Sequence, residues 1–283
     1  MNLHLPKPRI RKPHVSLRAV FPNLLTTIAL CSGLASLHFS TNGKWDQALA
    51  CITVAAIFDT LDGRAARLLR VSSKFGAVLD SLSDFLCFGV APALMLHQWL
   101  LEEKEFWGLA ACMTYALCAA LRLARFTAAA PPRPEEAALG KFFTGMPSPA
   151  AAGAVLIPVM LAQSEIIKFR FPDVAVIAYT FFIGWLMVSR RPMFSFKKVK
   201  VHRQAVVPLL ALIGVLVFAA TKHPWLVASG IAGVYLLTLP LAHVMHAKLV
   251  ASLRAQGVLL EPHDAPAAAS EPSSTRNVSG SRI

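Results

Sequence analysis

Long apolar stretches, interrupted by short polar or charged segments, follow one another along most of the chain. Each is close to the roughly 20 residues that an α-helix needs to cross the hydrocarbon core of a bilayer. They comprise residues 22–40, 46–68, 75–99, 106–126, 148–164, 173–189, 205–221 and 225–245. The pattern predicts an all-α fold, a polytopic membrane helix bundle of about eight transmembrane helices.

The two ends of the chain differ from the apolar stretches. Residues 1–20 carry five lysines and arginines and predict a basic cytoplasmic N-terminal tail. Residues 21–250 form the predicted transmembrane domain. Residues 251–283, most clearly beyond Leu260, are rich in Pro, Ala, Ser and Glu without apolar periodicity, which is typical of a disordered tail.

The composition supports a membrane protein. Of 283 residues, 55% are apolar and 15% are charged, whereas soluble domains have roughly 45–50% apolar and about 25% charged residues. These values exclude a soluble enzyme, a secreted domain and a disordered chain. The five cysteines lie inside the apolar stretches without paired spacing, so neither a disulfide framework nor a zinc site is predicted.

Lysine and arginine residues concentrate on one side of the predicted bundle. The two tails and alternate connecting segments hold 23 of the 28, and the opposite side holds five. Because cytoplasmic loops retain positive charge, both termini are predicted to be cytoplasmic. This distribution also explains the net charge of +13, so no nucleic-acid partner is predicted.

Four of the seven aspartates lie within 26 residues, at the predicted cytoplasmic ends of the second and third spans: Asp59, Asp62, Asp80 and Asp84. Spacings of three and four residues put each pair on one helix face, and the short connection makes the two helices antiparallel neighbours. Clustered carboxylates repel one another unless cations neutralise them. Hard oxygen ligands suit Mg²⁺ or Mn²⁺, and two such ions would balance four charges.

Two other interpretations of these carboxylates are weaker. If the carboxylates formed buried ion pairs, only three nearby arginines, Arg64, Arg67 and Arg70, would be available for the four of them. A membrane transporter would place buried charges near the bilayer midplane, whereas these lie at helix ends. Gly63 and Gly76 lack side chains where the two helices approach, which leaves room for a substrate or a close helix contact.

The spacing of these residues resembles a family signature. The run Asp59-x2-Asp62-Gly63-x2-Ala66-Arg67-x8-Gly76-x3-Asp80-x3-Asp84 is similar, position for position, to that of the CDP-alcohol phosphatidyltransferases. The resemblance implies an integral-membrane enzyme that transfers a phosphatidyl group from CDP-diacylglycerol to an alcohol and releases CMP. It covers residues 20–250 and is most specific over 58–150.

The resemblance also implies roles for individual residues. Asp59, Asp62 and Asp80 would hold two divalent ions, and Asp84 would act as general base with a possible metal contact. The residues expected to bind CDP-diacylglycerol are Asn23 and Thr26, from a PNxxT entry to the first span, with Asp62, Gly63, Ala66, Arg67 and Gly76. Pro followed by Asn is also an ordinary helix start, and Arg67 is equally consistent with a structural ion pair.

Further segments are similar to bacterial phosphatidylserine synthases within this family. They are Phe88-Gly89-Val90-Ala91-Pro92-Ala93, Leu121–Phe126 and Phe143-x-Gly145-Met146-Pro147-x-Pro149-Ala150. The similarity implies that L-serine is the acceptor, with Arg122 and Arg125 as the acceptor-binding residues. Positive-inside anchoring is the other interpretation of these arginines. Glycerol 3-phosphate, inositol phosphate and choline are the alternative acceptors.

The same resemblance implies a location and a set of partners. We expect a multi-pass protein of the bacterial inner membrane whose active site faces the cytoplasm. The expected partners are CDP-diacylglycerol, L-serine and membrane lipids. We also expect a homodimer.

Overall fold

Helices make up most of the chain that the computed structural model describes, namely residues 17–71, 73–101, 105–128, 142–164, 166, 171–189, 192–194 and 206–255. In chain order they are α1 (Leu17–Thr41), α2 (Trp45–Leu69), α3 (Lys74–Asp84), α4 (Ala91–Leu96), α5 (Glu105–Ala128), α6 (Ser148–Val155), α7 (Ile157–Ala162), α8 (Asp173–Val188), α9 (Val206–Lys222) and α10 (Pro224–Ala255). Two π-helical segments, Phe85–Val90 and His97–Leu101, flank α4, so residues 74–101 are helical without a break. The predicted all-α class is confirmed.

Among the described residues, the regular elements other than helices are two short strands that form one sheet. Strands β1 (Phe142–Thr144) and β2 (Pro192–Phe194) pair antiparallel. Strands of three residues are too short to show an alternating hydrophobic pattern, so they could not be predicted from the sequence. Gly145 follows β1 with a φ of 78°, and a Cβ there would lie 2.8 Å from the Met187 carbonyl oxygen. Only glycine fits this close approach to α8.

Each of the eight predicted apolar stretches falls on one helix or on consecutive helices. The stretch 148–164 corresponds to α6 and α7, which are separated at Leu156. Within the residues that the structure describes, three helices are long and apolar enough to cross a membrane: Val20–Thr41, Lys74–Trp99 and Phe106–Ala128. The same part of the chain contains three shorter apolar helices, Asp173–Val188, Val206–Lys222 and Pro224–Leu239. The described residues therefore form several apolar helices of a multi-pass type, and the number of eight spans stays a prediction.

The first and last helices reach beyond the predicted transmembrane domain. Helix α1 begins at Leu17 rather than at 21, and α10 ends at Ala255 rather than at 250. Residues 1–16 and 256–283, which contain most of the two predicted tails, lie outside the described residues.

Two tyrosine hydroxyls donate hydrogen bonds to backbone carbonyls that lie four residues before a proline. Pro92 has no N–H, so the Phe88 carbonyl loses the donor four residues along the helix. The Tyr115 hydroxyl donates to that carbonyl at 2.8 Å. Tyr179 likewise donates, at 2.7 Å, to the carbonyl four residues before Pro158. In hydrocarbon no water can replace a missing hydrogen bond, so neighbouring helices supply it.

The main core lies where α5 and α8 pack against α4, α6 and α7. Tyr115, Leu156 and Ile183 are fully buried there. A Cβ at Gly184 would be 3.5 Å from the Tyr115 Cα, so α5 and α8 approach closely at this level. Helices α1, α2 and α3 pack together beside this core. The four clustered aspartates lie on α2 and α3.

Candidate active site

The connection between α2 and α3 sets the geometry of the acidic residues. Arg70 follows α2 with a φ of 51°, in the left-handed region, and the Val71 N–H bonds the Ala66 carbonyl at 3.1 Å. Ser73 precedes α3 and its hydroxyl accepts the Gly76 N–H at 2.9 Å. The first contact ends α2 and the second begins α3. The chain thereby reverses direction within a few residues and brings the two acidic helix faces together.

The predicted metal ligands converge. One carboxylate oxygen from each of Asp59, Asp62 and Asp80 lies within 4.8 Å of the other two. Asp62 is buried, with 4% of its surface exposed. The carboxyl of Asp84 is within hydrogen-bonding reach of Asp59, and its Oδ1 is buried without a partner among the described residues. The structure brings all four residues together, three in one compact cluster and Asp84 next to it.

This cluster fits a divalent cation. Two ligands on opposite sides of Mg²⁺ are ~4.2 Å apart, which is close to the spacing of these oxygens. Within the described part of the chain, Arg64, Arg67 and Arg70 form no ion pair with the four carboxylates. The structure therefore does not support the interpretation of these aspartates as buried ion-pair partners of the three arginines. The residues present offer hard oxygen ligands and net negative charge, which suit Mg²⁺ or Mn²⁺.

A cavity of about 180 Å³ lies beside the cluster, between the beginning of α1 and the α2–α3 connection. Its lining residues are Pro22, Asn23, Thr26, Asp62, Gly63, Ala66, Val71, Ser73, Gly76, Ala77 and Asp80. Six of the seven residues predicted to bind CDP-diacylglycerol are among them. Arg67 is not, and its side chain is exposed. Val71, Ser73 and Ala77 also line the cavity and were not predicted, and of these only Ser73 has a recognisable sequence signal, as a helix-capping hydroxyl.

Contacts across α1, α2 and α3 shape this cavity. The Thr26 hydroxyl donates to Asp62 Oδ2 at 2.6 Å. A Cβ at Gly76 would lie 2.6 Å from Asn23 Oδ1 and 3.0 Å from Ser73 Oγ, so a side chain at this position would displace these two polar groups. A Cβ at Gly63 would meet no atom within 4 Å, so packing within the protein does not require this glycine. The absence of a side chain at Gly63 instead leaves open space beside the α2 backbone, which a ligand can fill.

The two arginines predicted to bind the acceptor have different surroundings. Arg122 is half-buried and near enough to Asp84 for the two charges to interact. Its Nη1 donates to the Ser148 hydroxyl at 2.7 Å, and its Nε is buried without a partner among the described residues. Arg125 is exposed, and its Nη1 donates to the Val188 carbonyl at 2.8 Å. The structure brings Arg122 to the acidic residues and Arg125 to the end of α8.

Comparison with known proteins shows which family this chain belongs to and which proteins it is similar to. Residues 19–189 match the sequence model of the family described as CDP-alcohol phosphatidyltransferase. A protein of Mycobacterium bovis named CDP-diacylglycerol–serine O-phosphatidyltransferase is 36% identical over 242 residues, which cover 83% of this chain and 82% of that protein. A Helicobacter pylori protein of the same name is 32% identical over 222 residues, 77% of this chain and 88% of that protein. An archaetidylserine synthase of Methanothermobacter thermautotrophicus is 35% identical over 133 residues, 46% of this chain and 54% of that protein.

Proposed function

Because the chain belongs to the CDP-alcohol phosphatidyltransferase family, we propose that it transfers the phosphatidyl group of CDP-diacylglycerol to the hydroxyl of L-serine. The products are phosphatidylserine and CMP. The observation that carries this proposal is the cavity beside the acidic cluster, whose lining includes six of the seven residues predicted to bind CDP-diacylglycerol. Relatives named for serine transfer, matched over more than three quarters of the chain, support serine as the acceptor.

The cytidine diphosphate part of the donor would lie in this cavity. The Asn23 side-chain amide can both donate and accept hydrogen bonds there. Gly63 allows the pyrophosphate to approach the α2 backbone, because no side chain stands in the way. Phe21 and Leu24, which flank this part of α1, are exposed apolar side chains that suit the acyl chains of the lipid. Arg67, exposed next to the cavity, would contact a phosphate from outside.

Asp59, Asp62 and Asp80, with Asp84 beside them, would hold two Mg²⁺ or Mn²⁺ ions. Such ions neutralise the pyrophosphate charge and polarise the phosphoryl oxygens when they are bound. The Thr26 hydroxyl orients the Asp62 carboxylate, since it occupies one lone pair of Oδ2. Burial of Asp62 limits competition from water for its other oxygen.

Asp84 is the proposed general base. Its buried Oδ1 has no partner among the described residues and can accept the proton of the serine hydroxyl. The hydroxyl oxygen then bonds to the phosphorus that carries the diacylglycerol. The bond from that phosphorus to the oxygen it shares with CMP breaks, and CMP leaves with the bonding electrons. The proton stays on Asp84 until the site opens to water.

We assign the contact with the acceptor to Arg122 rather than to Arg125. An amino acid brings a carboxylate, which needs a cationic partner close to the base. Arg122 lies next to Asp84, and its buried Nε–H has no partner among the described residues. Arg125 binds the Val188 carbonyl, and a cation at this end of α8 stabilises the helix.

The proposal includes the arrangement in the membrane. We propose eight spans with both termini and the acidic cluster on the cytoplasmic side of a bacterial inner membrane, where L-serine is dissolved. The asymmetry of lysines and arginines supports this orientation. A homodimer is part of the same proposal, and light scattering of the purified protein in detergent would measure it.

A panel of acceptors tests the proposed function. Purified full-length protein would be supplied with radiolabelled CDP-diacylglycerol in mixed micelles, Mn²⁺ or Mg²⁺, and one acceptor at a time. The acceptors are L-serine, glycerol 3-phosphate, inositol phosphate and choline. We expect CMP release and a labelled phosphatidylserine with L-serine alone. Release of CMP with another acceptor and none with L-serine would overturn the assignment of serine.

A further inference from the structure

The hydrogen bond between Arg122 and Ser148 fixes which edge of the guanidinium remains for a ligand. Ser148 is the first residue of α6 and is 3% exposed. Its hydroxyl accepts from Nη1 of Arg122 at 2.7 Å. The N–H of Nε and one N–H of Nη2 point in the same direction and form the other edge, which a carboxylate can bind with two parallel hydrogen bonds. The buried Nε on that edge has no partner among the described residues.

Building on the proposed function, we infer that Ser148 is a positioning residue that selects an acceptor carrying a single carboxylate. By holding Nη1, it prevents the guanidinium from rotating and presents the Nε–Nη2 edge next to Asp84. The carboxylate of L-serine binds this edge, and the serine hydroxyl then reaches the Asp84 carboxylate. Ser148 itself does not touch the acceptor.

The charges near Asp84 favour an acceptor that presents one singly charged anionic group. Among the described residues, Arg122 is the cation whose charge acts on Asp84. Arg125 is turned to the Val188 carbonyl, 63 positions along the chain, and does not add a second charge. A carboxylate carries one negative charge and matches one guanidinium edge, whereas a phosphate monoester carries close to two charges at neutral pH. Locking Arg122 in one orientation therefore favours an amino acid over a sugar phosphate or glycerol phosphate.

The test compares L-serine with serinamide, in which an uncharged amide replaces the carboxylate. Wild-type protein, Ser148→Ala and Ser148→Thr would be assayed for kcat and KM with both acceptors, and for the KM of CDP-diacylglycerol. Ser148→Gly provides a second variant without the hydroxyl. Ser164→Ala is the matched control, because Ser164 is also buried and its hydroxyl bonds a backbone carbonyl at 2.6 Å.

We expect Ser148→Ala to raise the KM for L-serine roughly tenfold, the effect of one hydrogen bond to a charged group. The kcat and the KM for CDP-diacylglycerol should change less than twofold, about the precision of such kinetic constants. The preference for L-serine over serinamide should fall in the same proportion, and Ser148→Thr should restore it. An unchanged preference in both Ser148→Ala and Ser148→Gly would overturn the inference, as would an equal loss in Ser164→Ala.

The same assay distinguishes failure of the proposed function from failure of the role assigned to Ser148. Wild-type protein that forms no phosphatidylserine would overturn serine transfer itself, and with it this inference. Wild-type protein that uses L-serine, but whose Ser148 variants keep the same KM and the same preference, would overturn the role of Ser148 alone.

Discussion

The Thr26 hydroxyl donates a 2.6 Å hydrogen bond to Asp62 Oδ2, across 36 positions of the chain. The same hydroxyl lies 3.1 Å from the Pro22 carbonyl, within its own helix. Its single proton is held more strongly by the carboxylate, because hydrogen bonds to ionised acceptors are the stronger ones. This bond connects α1, which carries Asn23, to the acidic cluster, so the residues that line the cavity and the clustered carboxylates form one unit.

Replacing Thr26 by Val should weaken catalysis because Asp62 loses an orienting donor. We expect kcat/KM for CDP-diacylglycerol to fall roughly tenfold or more, the effect of a hydrogen bond to a charged group. Thr26→Ser should retain most of the activity. Thr27→Val is the matched control, since the Thr27 hydroxyl bonds only the Asn23 carbonyl of its own helix. Equal effects of the two valine substitutions would contradict this role of Thr26.

Removal of divalent cations should abolish activity. We expect EDTA to stop CMP release, and Mg²⁺ or Mn²⁺, but not Na⁺, to restore it. Each of Asp59→Asn, Asp62→Asn and Asp80→Asn should be inactive while still inserting into membranes. Mn²⁺ should also raise the Tm of wild-type protein and not that of Asp62→Asn, because an ion that binds only the folded state stabilises it.

The control for the metal prediction is Asp46→Asn, at the opposite end of α2. Asp46 accepts a 2.6 Å hydrogen bond from Trp225 Nε1 and lies 13 residues before Asp59 on the same helix, about 20 Å away along the helix axis. Its variant should keep the activity and the response of Tm to Mn²⁺. Full activity of wild-type protein in EDTA would exclude the metal site.

Replacing Asp84 by Asn should separate binding from chemistry. The amide has nearly the same shape and cannot accept the proton of the acceptor, so we expect kcat to fall roughly 10²–10⁴-fold. Binding of CDP-diacylglycerol, measured by equilibrium dialysis with labelled lipid in micelles, should remain. If binding and rate were lost together, Asp84 would be better described as a metal ligand.

Replacing Gly63 by Ala should stabilise the fold and impair the enzyme. A Cβ at Gly63 meets no protein atom within 4 Å, so helix propensity alone predicts a gain of about 0.5–1 kcal/mol in the free energy of unfolding. The same methyl group enters the cavity and should raise the KM for CDP-diacylglycerol. Gly230→Ala, also in open space within a helix, should stabilise without affecting KM. A Gly63→Ala enzyme with unchanged KM would show that the donor does not lie against α2.

Replacing Tyr115 by Phe should destabilise the fold through the Phe88 carbonyl. A buried carbonyl left without a donor costs about 1–3 kcal/mol in the free energy of unfolding. In a Pro92→Ala background the backbone N–H returns, and the cost of Tyr115→Phe should shrink. Denaturation of the four proteins of this double-mutant cycle measures the difference. Equal costs in both backgrounds would mean that Tyr115 stabilises the core by packing alone.

Local patterns in the sequence were sufficient to predict the helices and the clustering of the four aspartates. The spacing of Asp59 with Asp62, and the short connection to Asp80, fix which carboxylates meet, because helix periodicity and a short turn leave little freedom. Hydrophobicity likewise located every apolar stretch. Hydrophobicity alone does not show whether α2 crosses the membrane. This helix is long enough to span a membrane, but its second half contains both acidic and basic residues.

Contacts between distant helices could not be predicted from the sequence. Arg122 and Arg125 are one helical turn apart and carry the same charge, yet one binds Ser148 and the other the Val188 carbonyl. Which arginine meets Asp84 depends on how α5, α6 and α8 pack, and no local period encodes that. The π-helical segments after Asp84 were missed for the same reason, since a neighbouring hydroxyl from Tyr115 helps to satisfy the backbone there.

All the residues that line the nucleotide cavity lie between Pro22 and Asp80, while Arg122 and Ser148 come from later helices. Under the proposed function, the chain is divided along its length into an earlier segment that binds the activated lipid and a later segment that binds the headgroup alcohol. Asp84 stands at the boundary between them. On that division, substitutions in α5 and α6 are expected to change which alcohol is accepted more than they change the use of the donor.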